Sequence, residues 1–112
     1  MLSYVHEHYP EKISLNDIAN AGKISISSCN TIYKKYLKES PIKHLLNYRL
    51  MKSCELLIEN ALSVTEIAFD VGFANTSYYI DTFKKRYGCT PNEYRKRNKL
   101  SEIFTPNTDS FL

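Results

Sequence analysis

One residue pattern occurs twice in this chain of 112 residues. The first copy consists of residues 13–19, then Tyr33-Lys34-Lys35 and Ser40-Pro41, and the second consists of residues 62–68, then Phe83-Lys84-Lys85 and Thr90-Pro91. The offset between the copies is 49 residues at their start (13 to 62) and 50 at their end (40 to 90), so the second copy has gained one residue. The duplication predicts two copies of one small unit and therefore a two-part architecture.

The repeated segments have the pattern of α-helices, because apolar residues recur every three or four positions and glycine is scarce. The residues before the apolar runs include four typical N-caps, which are Ser14, Ser40, Ser63 and Thr90. Asp17 stands where a capping box usually has Glu or Gln, so we expect the Ser14 box to be weaker than the Ser63 box. The predicted class is all-α, with seven helices at residues 2–9, 15–21, 27–37, 41–59, 64–71, 77–87 and 91–99.

Each copy contains a short helix, a tight turn and a longer helix, which is the arrangement of a helix-turn-helix unit. In the second copy the turn contains Gly72 and Phe73, where Gly permits a backbone conformation that other residues resist and Phe73 is expected to fill the angle between the helices. In the first copy Lys23 takes the place of Gly72. The predicted domains are a first unit at 1–40, a linker helix at 41–60, a second unit at 61–99 and a flexible tail at 100–112.

The linker helix suggests what the two units bind. At 1.5 Å per residue, residues 41–59 span roughly 28 Å, which is near the roughly 34 Å of one turn of B-DNA. Two identical units held that far apart suit a ligand that repeats once per turn, and the major groove of DNA is such a ligand. RNA is disfavoured, because the A-form major groove is too narrow for a helix.

Charge supports this interpretation only locally. The net charge of +3 is weak, but residues 84–99 contain seven basic residues and one acid. The alternative explanation is a solvated helix face.

Cys29, Cys54 and Cys89 are odd in number and lack metal-ligand spacing, so we expect buried thiols, with no metal and no cofactor. The chain contains no membrane-length apolar run and no signal peptide, so we expect a cytoplasmic protein.

Specific motifs carry a family resemblance. They are Ser14-Leu15-x-Asp17-Ile18-Ala19, Ile24-Ser25-x-Ser27, Arg49-Leu50, Glu66-Ile67-Ala68-x-x-Val71-Gly72-Phe73, Ser77-Tyr78-Tyr79 and Phe83-Lys84-Lys85-x-Tyr87-Gly88-x-Thr90-Pro91-x-x-Tyr94-Arg95. Over residues 2–97 the chain resembles the DNA-binding domain of AraC/XylS-type transcription regulators. The resemblance implies two helix-turn-helix units joined by a long helix, which bind successive major grooves on one face of double-stranded DNA.

The resemblance also implies that residues 27–37 and 77–87 form the base-contacting helices. Helical phase buries Cys29, Ile32 and Tyr33 in the first of them, and Tyr79, Ile80 and Phe83 in the second. The outward candidates for base contact are Ser27, Ser28, Asn30, Thr31, Thr76, Ser77, Tyr78 and Asp81. Many family members have Arg where this chain has Thr31 and Asp81, so we expect shallower or more restricted base recognition.

Several of these candidates have another explanation. Ser27, Thr76 and Ser77 are also plausible helix caps, and Asn30 is also a plausible solvated side chain. Asp81 accepts a hydrogen bond from cytosine in one alternative and pairs with Lys85 in the other. Tyr78 contacts DNA or docks on the protein surface.

The candidates for phosphate contact need only charge, reach or a free backbone amide. They are Lys34, Lys35, Ser40, Lys84, Lys85, Arg86, Thr90 and Arg95. For Arg95 the alternative is a free, solvated helix end. Lys38 stands where the second copy has Gly88, so we expect the first of these helices to end differently.

No nucleophile motif or phosphate-binding glycine loop supports catalysis, so we expect no enzymatic activity. The function that the sequence predicts is sequence-specific DNA binding by the output domain of a bacterial regulator, and an activator in particular. The alternative is a helical protein-interaction module that docks RNA polymerase or a sensor domain and has only non-specific affinity for DNA. The family usually joins this domain to an N-terminal sensor or receiver domain, so we expect the chain to be a fragment of such a protein.

Overall fold

The computed structural model describes the backbone of residues 1–104 and the side chains of residues 1–98. Over this part of the chain the fold is all-α, as predicted, with two helix-turn-helix units joined by a long helix. The helices are α1 (Leu2–His8), α2 (Leu15–Ala21), α3 (Ile26–Leu37), α4 (Pro41–Glu59), α5 (Val64–Asp70), α6 (Thr76–Tyr87) and α7 (Pro91–Phe104).

Five helix ends differ from the prediction. Helices α1 and α5 each end one residue before the predicted position, at His8 and Asp70. Helix α3 begins at Ile26 because Ser25 is its N-cap, and α6 begins at Thr76 because Asn75 is its N-cap. Helix α7 continues to Phe104, so residues 100–104 of the predicted flexible tail are helical. The rest of that tail, residues 105–112, lies outside the described residues.

The capping box predicted to be weaker is the complete one. The Oδ2 atom of Asp17 accepts a hydrogen bond from the Ser14 amide at 2.8 Å, and Ser14 Oγ accepts one from the Asp17 amide at 3.2 Å. At Ser63 only one half is present in the described residues, where Ser63 Oγ accepts from the Glu66 amide at 3.1 Å. The shorter Asp side chain therefore reaches the N-cap amide, and the expectation from residue type was wrong.

Each unit has its own cluster of buried side chains, and α4 contributes to both clusters. The first cluster contains Val5, Ile18, Ala19, Cys29, Tyr33 and Leu45. The second contains Leu50, Cys54, Leu57, Ile67, Ala68, Val71, Phe73, Tyr79, Phe83 and Cys89. Because the linker helix is part of both cores, neither unit can rotate about it without losing apolar contacts.

The predicted core of α3 was wrong at Ile32, whose side chain is 36% exposed. Helix α3 packs on α2 and α4 along a narrow side that covers Cys29 and Tyr33 but leaves Ile32 at its edge. Ile80 of α6 is half-buried and packs against the second cluster. Phe73 is 3% exposed, in agreement with its predicted place between α5 and α6.

A buried arginine of α4 joins the two units. The guanidinium of Arg49 donates from Nε to the Tyr9 carbonyl at 2.7 Å and from Nη2 to the Glu11 carbonyl at 2.8 Å. The side chain also lies against Gly72, where a Cβ atom would come within 2.7 Å of Arg49 Nε and 2.6 Å of the Tyr9 carbonyl oxygen. Desolvation lowers the pKa of Arg49. One cation therefore contacts the α1–α2 connection of the first unit and the α5–α6 turn of the second.

Each copy has a residue with positive φ in its turn and another at the end of its longer helix, although the residue types differ. Lys23 has a φ of +56°, and Gly72, at the matching place, has a φ of +103°. Lys38 ends α3 with a φ of +61°, and Gly88 ends α6 with a φ of +78°. The expectation that α3 would end differently is therefore wrong, because Lys38 adopts the left-handed conformation at a cost of about 1–2 kcal/mol.

Replacing Gly72 with Ala should destabilise the protein by about 2–5 kcal/mol, because left-handed strain adds to overpacking against Tyr9 and Arg49. Gly88→Ala is the matched control: its φ is also positive, but a Cβ atom there meets nothing within 4 Å. We expect Gly88→Ala to cost only about 1–2 kcal/mol. Urea unfolding of both variants measures the difference, and equal costs would mean that Gly72 is not packed against Arg49.

His6 should make the stability of the fold depend on pH. Its ring stacks on Tyr48 of α4 at a centroid distance of 4.2 Å. Desolvation lowers the pKa of His6, and the charges of His44 and Lys52 act in the same direction. The unfolded chain therefore binds the His6 proton more readily, and the free energy of unfolding should fall as the pH is lowered from about 7.5 to 5.5.

The variant His6→Phe retains an aromatic ring on Tyr48 and removes the titrating group. We expect its free energy of unfolding to fall less than that of the original protein over the same pH range. Urea unfolding at a series of pH values measures both slopes, and equal slopes would contradict a lowered pKa at His6.

Candidate nucleic-acid interface

The first half of α3 presents a row of polar side chains to solvent. The four predicted base-contacting residues, Ser27, Ser28, Asn30 and Thr31, are all exposed, and the buried side of the helix faces α2 and α4. Ser25 caps the helix by accepting from the Ser28 amide at 3.1 Å, so Ser27 is not the cap. Thr31 Oγ1 donates to the Ser27 carbonyl at 3.0 Å and its oxygen can still accept a bond. This face therefore offers hydroxyl and amide groups.

Helix α6 has a similar face with different chemistry. Ser77, Tyr78 and Asp81 are exposed and Thr76 is half-buried. Asn75 caps the helix by accepting from the Tyr78 amide at 2.7 Å, so neither Thr76 nor Ser77 is the cap. Within residues 1–98, no ion pair joins Asp81 to a cation, which argues against the predicted pairing with Lys85.

The ring of Tyr78 lies at the edge of a cleft between the two units. Its centroid is 5.9 Å from that of Phe73, and both residues line a cavity of about 440 Å³ that also contains Arg49 and Lys12. Tyr78 is still 48% exposed. The side chain therefore packs partly on the protein, as one of its two predicted roles requires, and retains a surface for a ligand.

Five predicted phosphate contacts are exposed cations without an acidic partner. Lys34, Lys35, Lys84, Lys85 and Arg86 form no ion pair with the side chains of residues 1–98. They lie in the last turns of α3 and α6, which follow the polar faces of the same two helices. Cations at these places can bind anions on either side of a groove that accepts the helix.

The two N-caps predicted to contact phosphate differ from each other. Ser40 is exposed and accepts from the Lys43 amide at 3.1 Å. At α7 the Glu93 carboxylate accepts from the Thr90 amide at 3.0 Å, and this bond is the main cause of the lowered pKa of Glu93. Because a carboxylate already occupies the start of α7, the arrangement argues against phosphate contact at Thr90.

Arg95 was predicted to contact phosphate, with a free, solvated helix end as the alternative, and its hydrogen bonds within the protein argue against both. Its guanidinium donates to the Leu57 carbonyl at 3.0 Å, the Leu62 carbonyl at 2.6 Å and the Asn60 carbonyl at 3.3 Å. These oxygens belong to the end of α4 and the connection to α5, where helix geometry leaves carbonyls without partners. Arg95 therefore stabilises the end of the linker helix, and these bonds leave its guanidinium less free to contact a ligand.

Lys43 is a cation that the prediction missed. It is exposed on the first turn of α4 and lines a cleft with Lys85 and Arg86 of α6. Aligning the two copies would have shown a change of charge at this position, because Lys43 stands where the second copy has Glu93.

Neither a metal site nor a membrane-spanning helix is found in the part of the chain that the structure describes. The described side chains contain no group of three or more His, Cys, Asp or Glu residues placed to hold a metal ion. The three cysteines are free and buried. None of the helices in the described part of the chain is long and apolar enough to cross a membrane.

Comparison with known proteins identifies the family. A family described as "Helix-turn-helix domain" matches residues 18–97. The uncharacterized HTH-type transcriptional regulator YdeC of Bacillus subtilis is 43% identical over 98 residues, which are 88% of this chain and 34% of that protein. The chain thus spans between about a third and a half of the length of the curated relatives it matches.

Two solved structures agree with this assignment. One is the C-terminal domain of the two-component response regulator yesN from Fusobacterium nucleatum, with a TM-score of 0.79, 30% identity, and coverage of 84% of this chain and 92% of that one. The other is a transcriptional regulator with an AraC-type DNA-binding domain from Chromobacterium violaceum, with a TM-score of 0.82, 27% identity and 86% coverage of both chains. The chain belongs to the AraC-type helix-turn-helix family, the DNA-binding domains of bacterial transcriptional regulators.

Proposed function

We propose that this domain binds double-stranded DNA by inserting the first halves of α3 and α6 into two successive major grooves. The observation that carries the proposal is the duplication itself: two units each expose a polar helix, and one rigid helix joins them. The family assignment supports DNA as the ligand, and the shared cores of α4 support a fixed distance between the two helices.

The exposed side chains suit a limited set of base contacts. Asn30 can donate to and accept from adenine in the major groove, and Thr31 can contact a thymine methyl group. Asp81 can accept from cytosine N4, and its carboxylate is repelled by nearby phosphates. Because neither helix exposes Arg at these places, we propose that base contacts contribute modestly and that phosphate contacts by Lys34, Lys35, Lys84, Lys85 and Arg86 provide much of the affinity.

In the whole regulator, this domain would be the output of a larger protein in the bacterial cytoplasm. The length of the relatives supports a linked sensor or receiver domain, since this chain spans about a third of the length of two of them.

A second function, contact with RNA polymerase during activation, is favoured by Met51 and Ile58, which are 44% and 42% exposed. They lie seven residues apart on one side of α4, where an apolar surface suits a protein partner.

Selection of bound duplexes from a random 25-base-pair library tests the proposed function. We expect two different short motifs, because the polar faces of α3 and α6 carry different side chains. One motif alone would mean that a single unit contacts bases. Binding without any motif would limit the domain to phosphate contact and favour the protein-interaction alternative.

Asn30→Ala should relax the base preference at one or two positions of the selected site and cost about 1–3 kcal/mol on the preferred sequence. Asn92→Ala is the matched control, because Asn92 is also exposed but lies on α7, outside the proposed interface. Repeating the selection with both variants measures the effect. An unaltered motif with Asn30→Ala would show that Asn30 is only a solvated side chain.

Lys85→Ala should reduce the slope of log affinity against log salt by about 0.9, as expected for one lost phosphate contact. Arg95→Ala should leave that slope unchanged and lower the free energy of unfolding by about 1–3 kcal/mol, because three carbonyls lose their donor. Fluorescence anisotropy at several salt concentrations and urea unfolding measure the two effects. A reduced salt slope for Arg95→Ala would restore Arg95 to the phosphate contacts.

A further inference from the structure

A cationic cleft lies between the first turns of α4 and the last turns of α6. Its volume is about 250 Å³. The α4 wall consists of Lys43, Asn47 and Leu50, and the α6 wall consists of Thr82, Lys85 and Arg86. Leu50 is completely buried and closes the bottom of the cleft against the second core. The cleft is therefore formed by the linker helix on one side and a base-contacting helix on the other.

The charges around this α4–α6 cleft are unbalanced. Lys43, Lys85 and Arg86 line it, no carboxylate does, and none of the three cations has an ion pair with the side chains of residues 1–98. The acids nearest in sequence are Glu39, four residues before Lys43, and Asp81, four residues before Lys85. Glu39 is engaged by His44 Nδ1 at 3.2 Å and by Asn47 Nδ2 at 2.8 Å. Asp81 is exposed, does not line the cleft and forms no ion pair with Lys85 among the side chains of residues 1–98. Three like charges that converge without an acid are stabilised by an anionic ligand.

The repeat shows that the cation at Lys43, on the linker helix, has no counterpart at the start of α7. Lys43 stands at the position of Glu93, whose carboxylate closes back on the Thr90 amide at the start of α7. Lys43 still has its backbone amide bonded to Ser40 Oγ at 3.1 Å, but its side chain lines the cleft. The start of α7 therefore carries a carboxylate bonded to a backbone amide, whereas the start of α4 carries a cation.

The position of the cleft points to its ligand. Lys85 follows Ser77 and Asp81 at intervals of four residues, so the α6 wall continues the exposed face proposed to contact bases. The opposite wall belongs to α4, which begins directly after the lysines of α3. We propose that the α4–α6 cleft binds one phosphodiester group of the DNA, with Lys43 as an additional phosphate contact that is made jointly by the linker helix and the second unit.

This inference rests on the proposed function and adds a consequence for the placement of the duplex. A phosphate contacted from both α4 and α6 can be reached only when the duplex that is bound by α6 also lies against the first turns of the linker helix. Lys43 should therefore contribute to binding of every duplex that carries the motif contacted by α6.

The test uses the selected duplex with one neutral methylphosphonate group, moved from position to position along each strand. With the original protein, we expect weaker binding when the neutral group replaces any contacted phosphate, and a roughly three- to tenfold loss for the phosphate in the cleft, the range for one partly exposed charge-assisted contact. With Lys43→Ala, binding to the normal duplex should be weaker. At the cleft position alone, the methylphosphonate should then have a smaller further effect than with the original protein, because only Lys85 and Arg86 remain there. The salt slope should fall by about 0.9.

Lys52→Ala is the matched control, because Lys52 is nine residues further along α4, on its opposite side, and is paired with Glu55 at 3.5 Å. It should leave both the affinity and the methylphosphonate profile unchanged. Unaltered affinity and salt slope for Lys43→Ala would overturn the inference while leaving DNA binding intact. Failure of the original protein to bind any duplex would overturn the proposed function instead.

A free anion is the remaining alternative ligand for the cleft. If inorganic phosphate raises the melting temperature of the original protein but not of Lys43→Ala, while both bind the duplex equally, the cleft binds a free anion and the assignment to DNA is wrong. If inorganic phosphate leaves the melting temperature of the original protein unchanged and the methylphosphonate result above is obtained, the ligand of the cleft is the phosphodiester of DNA.

Discussion

The relative placement of the two units depends on one buried cation. Arg49 lies in the middle of α4, donates to the Tyr9 and Glu11 carbonyls of the first unit and packs on Gly72 of the second. A buried charge is tolerated only when its donors are satisfied, so removing any of these partners leaves an unpaired group in the interior. The constraint explains why the second turn requires Gly: the space for a Cβ atom is already filled by the guanidinium and a backbone oxygen.

Local patterns predicted most of the fold, because helix starts and apolar spacing are encoded within a few residues of each other. Seven helices, both turns and the caps at Ser14, Ser40 and Ser63 followed from such patterns. The role of Arg95 did not, since its carbonyl partners lie 33 to 38 residues away in sequence. For the same reason the exposed polar residues of the site could be predicted from helical phase, whereas the cleft at Lys43 depends on how α4 packs against α6.

The duplicated units have diverged in charge more than in shape. Lys38 has the same left-handed backbone as Gly88, and Lys23 has a positive φ as Gly72 does, so these turns are preserved where residue type changes. The polar faces differ, with hydroxyl and amide groups on α3 and a tyrosine and a carboxylate on α6. Such a pair would bind an asymmetric DNA site, in which each unit contacts a different sequence and the linker helix sets the distance between them.

Helix α4 and Arg49 hold α3 and α6, the two helices proposed to contact bases, at one fixed separation. The most direct measurement is the affinity for a series of duplexes in which the spacing between the two selected motifs is lengthened one base pair at a time. A fixed separation predicts one preferred spacing and the weakest binding about half a helical turn, roughly 5 base pairs, away from it. Affinity that does not change with spacing would contradict the account, because it would mean that the two units move independently.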